Sequence, residues 1–217
     1  MTLTLYYHPL SSYSWKALIA LYETGTDFRP AVVSDAKVRE RLEALWPAGK
    51  FPVLHDEARG EVIPESSIII EYLDQHHPGR AALVPKDPAR ALKTRLEDRF
   101  YDLYLHNQMQ KIVDDVLRPA DRKDPLGVER ARSQIASALA MVDKKMAGQH
   151  WAVGETFTLA DCAAAPALYY CNRVAPFREK NRTAALYLDR LMVRPSFARV
   201  LKEAEPYFAM FPADAKS

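Results

Sequence analysis

The sequence predicts two unlike units in one chain: an α/β module of order β-α-β-α-β-β-α over residues 1–77, and an all-helical unit over residues 89–217. Three observations carry this. Short alternating apolar runs interleave with helix-period segments as far as His76. Residues 78–88 hold Pro78, Pro85 and Pro88 without periodic apolar positions, which marks a linker. From Ala89 onward the apolar residues recur at helical spacing.

Taken in order, Leu3 to Tyr7 alternates with β-branched and aromatic character and reads as the first strand. His8-Pro9-Leu10 turns the chain, and a serine of Ser11-Ser12 caps a helix with Trp15, Leu18, Ile19 and Tyr22 on one stripe, closing near Gly25. Residues 28–33 form a second strand and 36–46 a second helix. Residues 52–55 and 61–63, joined by a turn at 57–60, form the third and fourth strands, and 65–76 form the helix that closes the module. In the second unit, 89–117 reads as one long helix ended by Pro119, with Leu92, Leu96, Phe100, Leu103, Leu105, Met109, Ile112 and Val116 as its apolar stripe. Helices follow at about 127–147, 159–172, 180–192 and 196–206. Thr158-Leu159-Ala160-Asp161 is a capping box opening the third of these five.

Composition removes several function classes. Thirty basic and 28 acidic residues leave a formal charge of +2, spread along the chain, which argues against binding driven by charge to nucleic acid or a membrane surface. No run is long and apolar enough to span a bilayer, and the first residues lack the basic and apolar regions of a secretory leader, so a cytoplasmic location is expected. The seven glycines never fall two apart, so phosphate cradles of the G-x-G-x-x-G kind are absent. The six histidines are scattered and no H-E-x-x-H occurs, so no metal is expected. Cys162 and Cys171 lie on different sides of one helix and read as buried, reduced thiols.

Two places in the first unit suit a ligand. Pro52 interrupts the apolar run Phe51-Pro52-Val53-Leu54; it is either a trans proline on an edge strand or a cis proline that turns the chain. In the second case the Val53 backbone is left to pair with an extended, peptide-like ligand. Glu65 and Ser66 open a helix, whose positive end suits a carboxylate.

These features together resemble the cytosolic glutathione S-transferase family, over nearly the whole chain. Trp46-Pro47-Ala48-Gly49-Lys50-Phe51-Pro52-Val53-Leu54 is similar to the family's Asn-Pro-x-Gly-x-Val/Ile-Pro-x-Leu, departing at Trp46 and Phe51. Glu65-Ser66-Ser67-Ile68-Ile69-Ile70-Glu71-Tyr72-Leu73 resembles Glu-Ser-x-x-Ile-x-x-Tyr-Leu, and Phe157-Thr158-Leu159-Ala160-Asp161 resembles the capping motif of the family's second domain. The resemblance implies a thioredoxin-like first domain, a cis Pro52, and glutathione as co-substrate. In that reading Val53 pairs with the cysteinyl unit, Glu65 and Ser66 hold the γ-glutamyl end, and Lys50 faces the glycyl carboxylate. It also implies a homodimer, in which Asp98 or Asp102 reaches the partner's glutathione amine.

Glutathione's sulfur must become a thiolate to react, and each unit of pKa depression needs about 1.4 kcal/mol from donors and helix termini. Ser11-Ser12-Tyr13-Ser14-Trp15 resembles the Ser-Ser-Cys-Ser-Trp of serine-type, zeta-class transferases, with Tyr13 in place of the cysteine. This points to Ser11 as the thiolate's donor and Ser12 as a second. Tyr7, at the end of the first strand, is the rival, and Tyr13 a third choice. Tyr104, His106 and Asn107 on the long helix are expected to line the second-substrate pocket, His106 and Asn107 by their placement relative to polar residues of beta-class transferases. The expected function is transfer of the glutathione thiolate to a small electrophile; the alternative is a non-catalytic module of the same fold that binds glutathione or a protein partner.

Overall fold

The computed structural model describes residues 2–212. Its first unit is built from β1 (Leu3–Tyr7), α1 (Ser12–Thr24), β2 (Arg29–Val32), α2 (Ala36–Leu45), β3 (Val53–Asp56), β4 (Glu61–Pro64) and α3 (Ser66–His76). The four strands form one mixed sheet in the order β2-β1-β3-β4, with β1 parallel to β2 and antiparallel to β3, and β3 antiparallel to β4. This is a thioredoxin-like module. The period of two along β1 sorts its side chains: Leu3 and Leu5 join the core beneath α1 and α3, while Tyr6 joins Val33, Leu42 and Val53 in a smaller core under α2.

The second unit holds α4 (Pro88–Phe100), α5 (Asn107–Leu117), α6 (Pro125–Met146), α7 (Leu159–Val174), α8 (Arg182–Met192) and α9 (Pro195–Ala204). Pro88 and Pro125 each follow an aspartate cap, where a missing N–H costs nothing. The helix expected to run unbroken through 89–117 instead passes through a π-helical stretch at Tyr101–His106, where the Asn107 N–H reaches back five residues to Asp102. An inserted residue of this kind rotates α4 against α5 about their common axis. Accordingly Leu92, Leu96 and Leu103, expected in the core stripe, stand 70%, 64% and 44% exposed, while Leu105, Met109 and Ile112 are buried.

α1 lies between the units. Trp15 is fully buried among Tyr169, Tyr170, Phe197 and Phe208, and its indole N–H donates to the Pro9 carbonyl at 2.6 Å. Arg194 and Glu23 form a two-pronged ion pair at 2.6 and 2.7 Å. The buried Asp161 of the capping box accepts from the Ala152 and Thr158 N–H groups, the Thr158 hydroxyl and the Tyr187 phenol. Cys162 and Cys171 are free and buried, and burial pushes both thiols up, away from reactivity.

Replacing Asp161 by alanine strands three buried backbone and phenol donors, each worth about 1–3 kcal/mol when unsatisfied. We expect Asp161→Ala to lose about 4 kcal/mol in urea unfolding, one of the larger single-site losses in the second unit.

Candidate functional site

Two clefts meet at the start of α1. The first, of about 270 Å³, runs from Lys50, Phe51 and Pro52 to Glu65 and Ser66, and is closed by Arg99, Asp102 and Asn107. The second, of about 370 Å³, is lined by His8, Ser11 and Ser12 on one side and by Met109, Val113, Tyr170 and Phe211 on the other. Tyr13 and Phe51 border both.

Each wall of the first cleft has a local cause. The Phe51-Pro52 peptide bond is cis. Val53 behind it is fully buried, stands opposite Tyr6 on β1 and Pro64 on β4, and its side chain belongs to the small core; the cleft itself is lined by Phe51 and Pro52 before it. Glu65 has φ 69°, in the left-handed region that costs a residue with a Cβ about 1–3 kcal/mol. Ser66 follows as the first residue of α3, and no side chain caps this helix end. Its first N–H groups therefore point outward for an anionic partner.

Beneath this helix end lies a group of charges that sequence reasoning missed. Lys16, wholly buried in α1, pairs with Asp98 at 2.5 Å and Asp102 at 2.8 Å and donates to the Ser67 hydroxyl at 2.8 Å. Arg99 binds the same two carboxylates and donates to Ser67 at 2.7 Å; Ser67 in turn donates to Asp98 at 2.8 Å. Burial alone would raise the Asp102 carboxyl, but the Lys16 charge beside it holds it well below the usual carboxylate range. The signal was present: Lys16 directly follows Trp15 in the otherwise apolar run Trp15 to Leu21, and a lysine buried there must find a partner. Both carboxylates pair with Lys16 and Arg99 of their own chain, and Asp102 also lines the first cleft.

The residues expected on the long helix separate. Asn107 lines the first cleft and accepts the Tyr13 phenol at 2.8 Å. His106 is fully buried with its ring 4.6 Å from that of Tyr13, so it touches no cleft; burial lowers its pKa and keeps it neutral, and its Nδ1 is 3.5 Å from Asp102, too far for a good hydrogen bond. Tyr104 is 57% exposed and stacks on Phe100 on another face, lining neither cleft. All three lie in or just past the π-helical stretch, which turns their side chains to different sides.

Among the thiol donors, Ser11 caps α1: its oxygen accepts the Ser14 N–H at 3.2 Å, which leaves the hydroxyl proton unused by the cap. Ser12 is buried at the cleft wall. Tyr13 has its phenol pushed up by burial and by Asp102, so it stays protonated. Tyr7 lies elsewhere, in a third cavity with Tyr22, Arg199 and Glu203 that shares no residue with either cleft. Among the described residues no group of acidic, cysteine and histidine side chains could hold a metal, and no helix is long and apolar enough to cross a membrane.

The class this defines is a two-unit protein: a thioredoxin-like module, with an uncapped helix end and a strand entered through a cis proline, joined to an all-helical unit. The chain belongs to the glutathione S-transferase family. Residues 5–81 match the family's N-terminal domain and residues 125–203 its C-terminal domain. It is 31% identical to a probable maleylacetoacetate isomerase of Caenorhabditis elegans, over 82% of this chain and 85% of that protein. It is 28% identical to a stringent starvation protein A homolog of Coxiella burnetii, over 94% and 93% of the two chains. Among solved structures it resembles a glutathione S-transferase of Methylobacillus flagellatus with GSH bound (TM-score 0.83, 26% identity, 91% and 98% covered). A second, from Methylobacterium radiotolerans, is complexed with glutathione sulfonate (TM-score 0.79, 30% identity, 91% and 93% covered).

Deleting the Lys16 charge leaves two buried carboxylates sharing Arg99 as their one counter-charge, and removing one partner of a buried ion pair costs about 3–5 kcal/mol. Lys16→Met is expected to lose that amount in denaturant unfolding, with Lys16→Arg recovering part of it.

Proposed function

We infer that this protein is a glutathione transferase that adds its co-substrate's thiolate to a small electrophile. The observation that carries the reading is the meeting of the two clefts at the first turn of α1. Glutathione lies along the first cleft, its cysteinyl unit against the Val53 backbone, its γ-glutamyl end at Glu65, Ser66 and the free end of α3, and its glycyl carboxylate toward Lys50. Its sulfur then falls beside Ser11 and Ser12, at the mouth of the second cleft where the electrophile waits. The Ser11 hydroxyl, already accepting the Ser14 N–H, donates its proton to the thiolate, and the positive end of α1 adds to it. A donor of this kind and a helix end are together worth about 1–3 kcal/mol, enough to lower a thiol by one or two pKa units. The solved relatives with GSH and glutathione sulfonate bound support the assignment of the first cleft.

A second reading, a glutathione-binding module without turnover, draws on Ser11's employment as a helix cap and on Tyr13 in the place of the zeta-type cysteine.

Ultraviolet difference absorbance of bound glutathione against pH separates the two. Ser11→Ala is expected to raise the bound thiol's pKa by about one unit, as the loss of one charge-assisted bond requires, and Tyr7→Phe to leave it unchanged. Binding with no thiolate signal in the wild type would favour the module.

The exposed side of α4 and α6 suits a second copy of the chain. Leu96, Tyr104 and Met141 are each more than half exposed and line a broad, mostly apolar groove of about 940 Å³. Light scattering at micromolar concentration is expected to report a dimer for the wild type and a monomer for Tyr104→Arg combined with Met141→Arg.

A further inference from the structure

Asn107 opens α5 just past the π-helical stretch, and its side chain reaches across to α1, where the Tyr13 phenol donates to its Oδ1 at 2.8 Å. A phenol has one proton to give. The other oxygen in reach is the Asp102 carbonyl at 3.5 Å, which already accepts the Asn107 backbone N–H, so the proton goes to the nearer amide oxygen. Burial and Asp102 push the phenol's pKa up and keep that proton in place. The amide is thereby oriented. Its two N–H groups are left over, and neither has a partner among the described residues.

The order of residues along the helices places this donor. Arg99, Asp102 and Asn107 line the first cleft, and Met109, Gln110 and Val113 line the second, so on this wall one cleft gives way to the other just after Asn107. On the opposite wall the change falls at Tyr13, which borders both clefts and follows Ser11 and Ser12 of the second. Asn107 and the first turn of α1 thus flank the passage between the clefts from different units of the fold. A ligand filling the first cleft takes the amide N–H groups out of water, and they must then find an acceptor on it.

We propose that Asn107 is a catalytic residue whose Nδ2–H donates to the thiolate from the wall opposite Ser11, and that Tyr13 is the positioning residue that turns the amide nitrogen to the sulfur. The inference rests on the first cleft being the glutathione site. A reversed amide would set its carbonyl oxygen against the anion and disfavour it, so the hydrogen bond from Tyr13 fixes the sign of Asn107's effect. The charged side chains of the first cleft are Lys50, Glu65, Arg99 and Asp102, and His8 stands across the passage in the second. None of them is altered in the variants that test the proposal.

The test reads the pKa of glutathione bound to the full chain, by ultraviolet difference absorbance, in the wild type, Asn107→Leu, Tyr13→Phe, Ser11→Ala and the Asn107→Leu/Ser11→Ala double variant. Leucine keeps the branched shape of asparagine without its donor. Asn107→Leu is expected to raise the bound thiol's pKa by about one unit, the loss of one charge-assisted bond. Tyr13→Phe frees the amide to rotate without removing it, and is expected to raise the pKa by less than about half as much. The double variant is expected to raise it by about two units, because two donors then leave one sulfur. If Asn107 serves only to tie the two units together, Asn107→Leu and Tyr13→Phe break the same bond and move the pKa equally, which overturns the proposal. An unchanged pKa in Asn107→Leu overturns it too, as does a lowered one, which would place the amide oxygen against the sulfur. In each of those cases a raised pKa in Ser11→Ala leaves the transferase reading standing. A wild type that binds no glutathione in calorimetry, or binds it without a thiolate signal, overturns that reading and the proposal together.

Discussion

The buried pairing of Lys16 with Asp98 and Asp102 is the constraint on which the site's geometry depends. Its three side chains come from two units of the fold and are at most 3% exposed. Each ion so buried costs several kcal/mol of lost hydration, and only close partners and further hydrogen bonds return it. Arg99 brings the formal charge of the group to zero, and the Ser67 hydroxyl bonds to members on both sides. Such a group tolerates little displacement. It therefore locks the first turn of α3, the middle of α1 and the π-helical stretch into one arrangement, and the first cleft is the space between them.

The π-helical stretch belongs to the same arrangement. It carries Asp102 inward to Lys16 and delivers Asn107, one residue past its end, to the Tyr13 phenol. Tyr13 thereby stands between a cleft that holds Lys50, Arg99 and the open end of α3 and one that holds no charged side chain among its described lining residues. His106 supports the back of that partition as a neutral, buried ring.

Local chemistry was legible where a residue type has few alternatives. Thr158 and Asp161 cap α7 because a hydroxyl and a carboxylate three apart fit the free N–H groups of a helix start. The strand and helix order of the first unit, the turn at Gly25 and the opening of α3 at Glu65-Ser66 were readable for similar reasons. The second unit was harder. Leu92, Leu96 and Leu103 share an apolar pattern with Leu105 and Met109, yet one set faces outward and the other the core. Periodicity reports that a side chain is apolar, not which partner covers it.

By itself, then, the sequence determined the order of elements, the two-unit architecture and the residues that open each cleft, because capping, turn chemistry and apolar period act over a few neighbouring residues. Only the tertiary structure decided that Tyr7 falls in a separate cavity, that Tyr104 and His106 leave the site to Asn107, and that Lys16, Arg99 and two aspartates underpin it. Those outcomes depend on pairings such as Lys16 with Asp102 and Tyr13 with Asn107, 86 and 94 positions apart, and on an inserted stretch of π-helix. No local rule carries that information, since the energy that selects them exists only once the partners have left water together.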